Sequence, residues 1–143
     1  MRSKNFAFLI LLLLTPGCAS APQHLAHFQN DVENATRSEE IVLDYCYKNV
    51  FFAIIQVLND TTTTIYLKDY DKGIIMARNQ TGQALGDFQQ PSHNFGFWLN
   101  DLDGKTKITL KMVGAQWPMG GTAQEEFALI KKELELRKRC ATE

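Results

Sequence analysis

The stretch Phe95-Gly-Phe-Trp-Leu-Asn-Asp-Leu-Asp-Gly-Lys-Thr-Lys-Ile-Thr-Leu-Lys-Met112 decides the fold. Asp103-Gly104 is the signal of a two-residue type I′ turn, because both central positions need positive φ. A chain folded there sets Leu102 opposite Lys105, Leu99 opposite Ile108, Phe97 opposite Leu110 and Phe95 opposite Met112. Side chains alternate along a strand, so Leu99, Ile108, Phe97, Leu110, Phe95 and Met112 share one face. Trp98, Asn100, Lys107, Thr109 and Lys111 fall on the other. One face is core and the other is wet, the pattern of an antiparallel sheet covered on a single side.

Upstream, Thr61 to Lys68 is β-branched almost throughout and reads as a strand. Asp69 to Gly73 is a turn, and Ile74 to Arg78 returns. Its register stays open, since Ile74/Met76 and Ile75/Ala77 are both plausible inward sets. Ile41-Val42-Leu43 closes a short first strand within 38–43, and Asp44 is the expected N-cap of a helix over 45–59. In that helix Tyr47, Val50, Phe51, Ile54, Val57 and Leu58 make one broad apolar face. Thr122-Ala-Gln-Glu125 is a capping box that opens a last helix with an apolar stripe of Phe127, Ile130 and Leu134, flanked by Leu129 and Leu136. Arg137-Lys138-Arg139 complement the dipole at its C-terminal end. Residues 79–94 form a long polar loop and 114–121 a glycine-rich one. The one-sided sheet needs a cover, and two amphipathic helices supply it. The expected fold is α+β: a two-layer sandwich of a four- or five-stranded antiparallel sheet with two helices packed on one face.

The N-terminus sets the address. Arg2 and Lys4 precede an apolar run from Phe6 to Leu14, too short to span a bilayer but suited to a signal-peptide core. Gly17-Cys18-Ala19-Ser20 resembles the lipobox of bacterial lipoproteins, although Thr15 stands where that pattern usually has Leu. The resemblance implies cleavage before Cys18 and acylation of its sulfur, with palmitate-type chains that anchor the protein without a transmembrane helix. Ala19 after the cysteine fits sorting to the outer membrane, facing the periplasm. A rival site for ordinary secretion, Ala19-Ser20-Ala21, is followed by Pro22, which usually blocks that cleavage. The expected organisation is a signal peptide over 1–17, the lipidated cysteine and a flexible tether over 18–37, and one domain over 38–143.

Removing Arg2 and Lys4 from 15 basic residues leaves 13 against 16 acidic ones, a net charge of −3. No basic field invites nucleic acid. With Cys18 acylated, Cys46 and Cys140 remain as an even pair in an oxidising compartment. A disulfide between them would close roughly 95 residues and contribute about 4 kcal/mol on the chain-entropy model. Two separate thiols are the alternative.

The order Val50-Phe-Phe-Ala-Ile-Ile-Gln-Val-Leu-Asn-Asp60, then Thr64-Ile-Tyr-Leu-Lys-Asp-Tyr-Asp-Lys-Gly-Ile-Ile-Met-Ala-Arg78, resembles the helix-grip domains of BamC-like envelope lipoproteins. That resemblance covers roughly 38–139 and implies a non-catalytic accessory role without naming a partner.

The residues themselves offer no reaction. His93 beside Ser92 lacks an acidic partner in sequence. Asp101 and Asp103 flank a tight turn, and turn chemistry explains them. His24 and His27 sit three apart with no further ligands, and the cysteines are too few and too scattered for zinc. Gly120-Gly121-Thr122 at a helix start lacks the lysine and spacing of a phosphate loop. No enzyme activity, cofactor, metal or nucleic acid is expected. Trp98, Tyr66, Trp117 and Phe88 are the candidate interaction surface. The expected function is a lipid-anchored envelope adaptor that binds another envelope protein. The alternative is a carrier of a small apolar ligand or lipid between sheet and helices.

Overall fold

A computed structural model describes residues 20–61, 63–79, 93–114 and 121–137. Eight elements follow in order: α1 (Ser20–Glu33), β1 (Arg37–Leu43), α2 (Tyr47–Asn59), β2 (Thr63–Asp69), β3 (Ile74–Asn79), β4 (His93–Asp101), β5 (Thr106–Met112) and α3 (Ala123–Leu136). The five strands form one antiparallel sheet in the order β1-β5-β4-β3-β2. The sandwich expected from the sequence is present, with an additional helix on the opposite face.

The central hairpin folds as its sequence dictates. Asp103 and Gly104 take φ of 56° and 91°, and Leu102 N–H donates to the Lys105 carbonyl at 2.8 Å. Leu99 pairs with Ile108, Phe97 with Leu110 and Phe95 with Met112. These six side chains are buried with Val50, Phe51, Ile54 and Leu58 of α2 and Phe127, Ile130 and Leu134 of α3 in one core. Phe95 and Phe97 meet edge to face at 6.0 Å in this layer. The capping box opens α3: Glu125 N–H donates to Thr122 Oγ1 at 3.3 Å, and Thr122 N–H donates to Glu125 Oε2 at 2.6 Å. Leu129 and Leu136, the expected flanks of the stripe, are exposed.

The other sheet face departs from expectation. It is not uniformly wet, and the stretch expected as a tether is not one: α1 lies across it. Leu25, Phe28 and Val32 recur at helical spacing and seat the helix on Met76, Leu67, Ile74, Trp98 and Val113. Both plausible inward sets of β3 are used, because β3 lies between two helical layers. Ile75 and Ala77 face α2 and α3, and Met76 faces α1. In β2 the register shifts between Ile65 and Leu67, so Ile65 packs on the inner core and Leu67 against α1. The β1/β5 half of the outer face remains polar. Lys107 Nζ bridges Glu40 at 2.8 Å and Thr109 Oγ1 donates to Glu40 at 3.0 Å, which together hold the Glu40 carboxyl below its ordinary value.

Asp44 does not cap α2. Cys46 holds the N-cap position in extended backbone, without a side-chain cap, and α2 starts at Tyr47. The Tyr45 carbonyl, just outside the helix, accepts from the buried Thr106 Oγ1 at 2.9 Å, tying the helix entry to β5. Arg137 follows α3 as its C-cap and pairs with Glu133 at 3.0 Å; residues 138 and 139 of the expected basic run lie outside the described residues.

Candidate interaction surface

Of the four aromatic residues expected as an interaction surface, Trp98 and Tyr66 fall among the described residues, and both lie beside α1. Trp98 is half-buried beneath α1, and Lys111 Nζ stands 5.1 Å from its ring while donating to the Glu33 carbonyl at the end of α1 at 2.9 Å. Tyr66 packs on Phe28 of α1 at 5.0 Å. The Arg78 guanidinium lies 5.4 Å from Tyr66 and 5.7 Å from Phe28, steered by a 2.7 Å bond from its Nε to Asn94 Oδ1. Both residues are therefore part of the seat of α1. Trp117 and Phe88 lie outside the described residues.

A different aromatic surface forms where the start of α2 meets the β2–β3 turn. Tyr47, Phe51 and Phe52 come from α2 and Tyr70 from the turn. Tyr70 touches each of the three, with ring centroids at 5.1 Å from Tyr47, 5.0 Å from Phe51 and 6.0 Å from Phe52. Phe51 is buried and roots the cluster in the core, whereas Phe52 is 44% and Tyr70 42% exposed. The Tyr47 hydroxyl donates to the Tyr70 carbonyl and locks the turn to the helix. Gly73 permits this approach: its φ is +68°, and Leu99 N–H donates to its carbonyl at 2.8 Å. A Cβ at Gly73 would run into the Leu99 carbonyl oxygen and come within 3.1 Å of the Tyr47 hydroxyl.

Carboxylates act on the Tyr47 hydroxyl. Burial, then Tyr70, then the carboxylates of Asp71, Asp69 and Asp101 hold the Tyr47 hydroxyl above its ordinary value of 10.0. Asp69 is committed to the turn, where it accepts the Lys72 N–H at 3.0 Å and meets Lys72 Nζ at 3.4 Å. The backbone bond is the leading reason its carboxyl lies below the ordinary value. Asp101 accepts the Asp103 N–H at 3.1 Å, the turn role expected for this pair. The sequence signal for the surface was adjacent Phe51-Phe52, since a helix cannot point two consecutive side chains into one core.

The opposite end of the sheet is polar. His93 and Asn79 are paired across β4 and β3 and both are buried. The His93 ring lies against Gly114, where a Cβ would stand 2.9 Å from its Nδ1. Glu126, in the first turn of α3, is also buried. Ser92, the neighbour of His93 in sequence, lies outside the described residues. A cleft of about 320 Å³ opens beside this end, lined by Asn30, Asp31, Asn34, Thr36, Met112 and Gly114 among others. Residues 20–33, which include His24 and His27, are helical, and His27 is exposed. Among the described residues no group of three or more His, Cys, Asp or Glu could hold a metal ion, and no helix is long and apolar enough to cross a membrane. Cys46 stands at the N-cap of α2, and Cys18 and Cys140, the latter its candidate disulfide partner, lie outside the described residues.

No protein-family model and no curated protein matches the chain. Several solved structures do. Ara h 8.0201 superposes with a TM-score of 0.52 at 12% identity, over 70% of this chain and 94% of that one. The fold is of the helix-grip kind. The di-domain ARO/CYC StfQ from the steffimycin biosynthetic pathway matches with a TM-score of 0.43 at 11% identity, over 70% of this chain and 42% of that one. The Zhui aromatase/cyclase from Streptomyces sp. R1128 matches with a TM-score of 0.32 at 12% identity, over 70% and 84%. Of these three, Ara h 8.0201 superposes closely enough to show a shared fold.

Proposed function

We propose that this chain is a lipid-anchored, non-enzymatic binding protein of the bacterial envelope that docks another envelope protein through Tyr47, Phe51, Phe52 and Tyr70. The observation that carries this reading is the aromatic cluster, contiguous and rooted in the core by Phe51, with Phe52 and Tyr70 open at its outer edge. Aromatic side chains anchored at one side and open at the other are the usual centre of a protein interface. The anchor is acylated Cys18. α1 begins two residues later, so the domain would rest against the membrane on a docked helix. A Cys46–Cys140 bridge would join the entry of α2 to the chain beyond α3.

A photo-crosslinking residue at position 52, in intact cells, tests the reading. The expected result is one identified envelope protein, absent when the probe stands at the exposed Leu136. A probe at 52 that reaches no protein removes the docking role. Intact mass from purified membranes reports acylation of Cys18 and the Cys46 linkage together.

The alternative is a carrier of a small apolar ligand. Buried His93 and Asn79 favour it, as polar groups on an otherwise apolar inner face beside the two long loops. Native mass spectrometry that finds no bound lipid or metabolite on protein from its own envelope removes this alternative.

A further inference from the structure

Resting on the docking role just described, we propose that the Tyr47/Phe51/Phe52/Tyr70 surface takes a cationic segment of its partner, with arginine or lysine side chains laid on the exposed rings and their charges turned to Asp71 and Asp101. Three observations support the cation. First, the two outermost rings, Phe52 and Tyr70, are stacked with centroids 6.0 Å and planes 26° apart, and each leaves aromatic surface open to a guanidinium. Second, carboxylates border the rings from two elements: Asp69 and Asp71 flank Tyr70 in sequence, and Asp101 ends β4 just beyond Trp98, the partner of Ile74 where β3 leaves the β2–β3 turn. Asp69 is satisfied by Lys72, but Asp71 is exposed and has no hydrogen bond or ion pair from its side chain among the described residues. Asp101 accepts only a backbone N–H there. Third, the chain shows how it treats rings it covers itself. On the opposite sheet face Arg78 stands over Phe28 and Tyr66, and Lys111 over Trp98. Among the described residues no lysine or arginine stands over Phe52 or Tyr70. An acidic partner would bring its charge against Asp71 and Asp101, which disfavours it.

The test uses the full lipidated chain in phosphatidylcholine nanodiscs, with empty nanodiscs as the blank. The probes are two short fluorescent peptides of glycine, serine and leucine, one spaced with arginine and the other with glutamate. The arginine peptide is expected to bind and the glutamate peptide not. Asp71→Asn with Asp101→Asn should weaken binding about tenfold, the scale of two rim pairs. Phe52→Ser, at an exposed position, should abolish it. Equal binding of both peptides, or an affinity unmoved by the two asparagines, overturns the cationic partner. If position 52 still crosslinks to an envelope protein, the docking role survives that failure. No crosslink and no peptide binding removes both. A crosslink to a second copy of this chain, or peptide binding that excess phosphatidylcholine vesicles abolish, also overturns the proposal.

Discussion

Gly96→Ala tests whether α1 is truly seated on the sheet. Gly96 lies in β4, has no positive φ, and carries no turn. An alanine there would ordinarily stabilise by about 0.4–1 kcal/mol, by restricting the unfolded chain. The new Cβ would instead stand 2.9 Å from Trp98 Cη2 and Cζ3 and 3.1 Å from Val32 Cγ1. Val32 is fully buried in the α1 interface, and Lys111 Nζ lies 5.1 Å from the Trp98 ring, so both neighbours are held. Overpacking of this kind costs about 1–3 kcal/mol. The balance is a net loss of about 1–2 kcal/mol, concentrated on α1, a helix of 14 residues that is marginal without its seat. Urea unfolding reads the total, and amide exchange of residues 25–33 reads the local part. Val32→Ala alone should cost about 1–2 kcal/mol. Combined with Gly96→Ala it should cost less than the sum by about 1 kcal/mol, because one clash is removed. A Gly96→Ala chain that is more stable than the parent, with unchanged α1 exchange, would refute the docked helix.

Gly73→Ala should cost more than about 2 kcal/mol, since left-handed backbone and collision with the Leu99 carbonyl act together; a lowered urea midpoint checks it. Thr122→Ala removes the capping box and should cost about 1 kcal/mol, with faster exchange confined to the first turn of α3. The raised Tyr47 hydroxyl means the fold retains a proton that the unfolded chain gives up. Its contribution is therefore complete below pH 10 and is lost as pH rises from there through the folded value. Spectrophotometric titration should show a late phenol that Tyr47→Phe removes. Cys18→Ser should lose the acyl mass, and where its leader is still removed it should leave the membranes; a leader-free chain of this variant still bound after a carbonate wash contradicts the anchor.

Local signals made much of the fold legible. Asp103-Gly104 sets a turn by its own φ preference, alternation assigns Phe95, Phe97 and Leu99 to one face, and Thr122 with Glu125 caps a helix within four residues. Leu25, Phe28 and Val32 also carried a helical period, but 20–33 is otherwise polar, and a three-residue stripe needs a visible seat to be believed. That seat is assembled from β2, β3 and β4 and exists only in the paired sheet. The same holds for Cys46, which takes the cap position from Asp44 because Tyr45 is pulled to Thr106 of β5.

The sequence by itself determined the hairpins, the amphipathic helices and their common layer, because each depends on residues close along the chain or on a simple period. Only tertiary structure decided which aromatic residues are covered and which face solvent. Trp98 became part of the floor under α1 and Tyr66 its exposed edge, while Phe52 and Tyr70 were brought together by packing between a helix and a turn separated by a strand. The physical reason is that exposure belongs to an assembled surface, and a side chain's neighbours across a sheet are set by strand order and register.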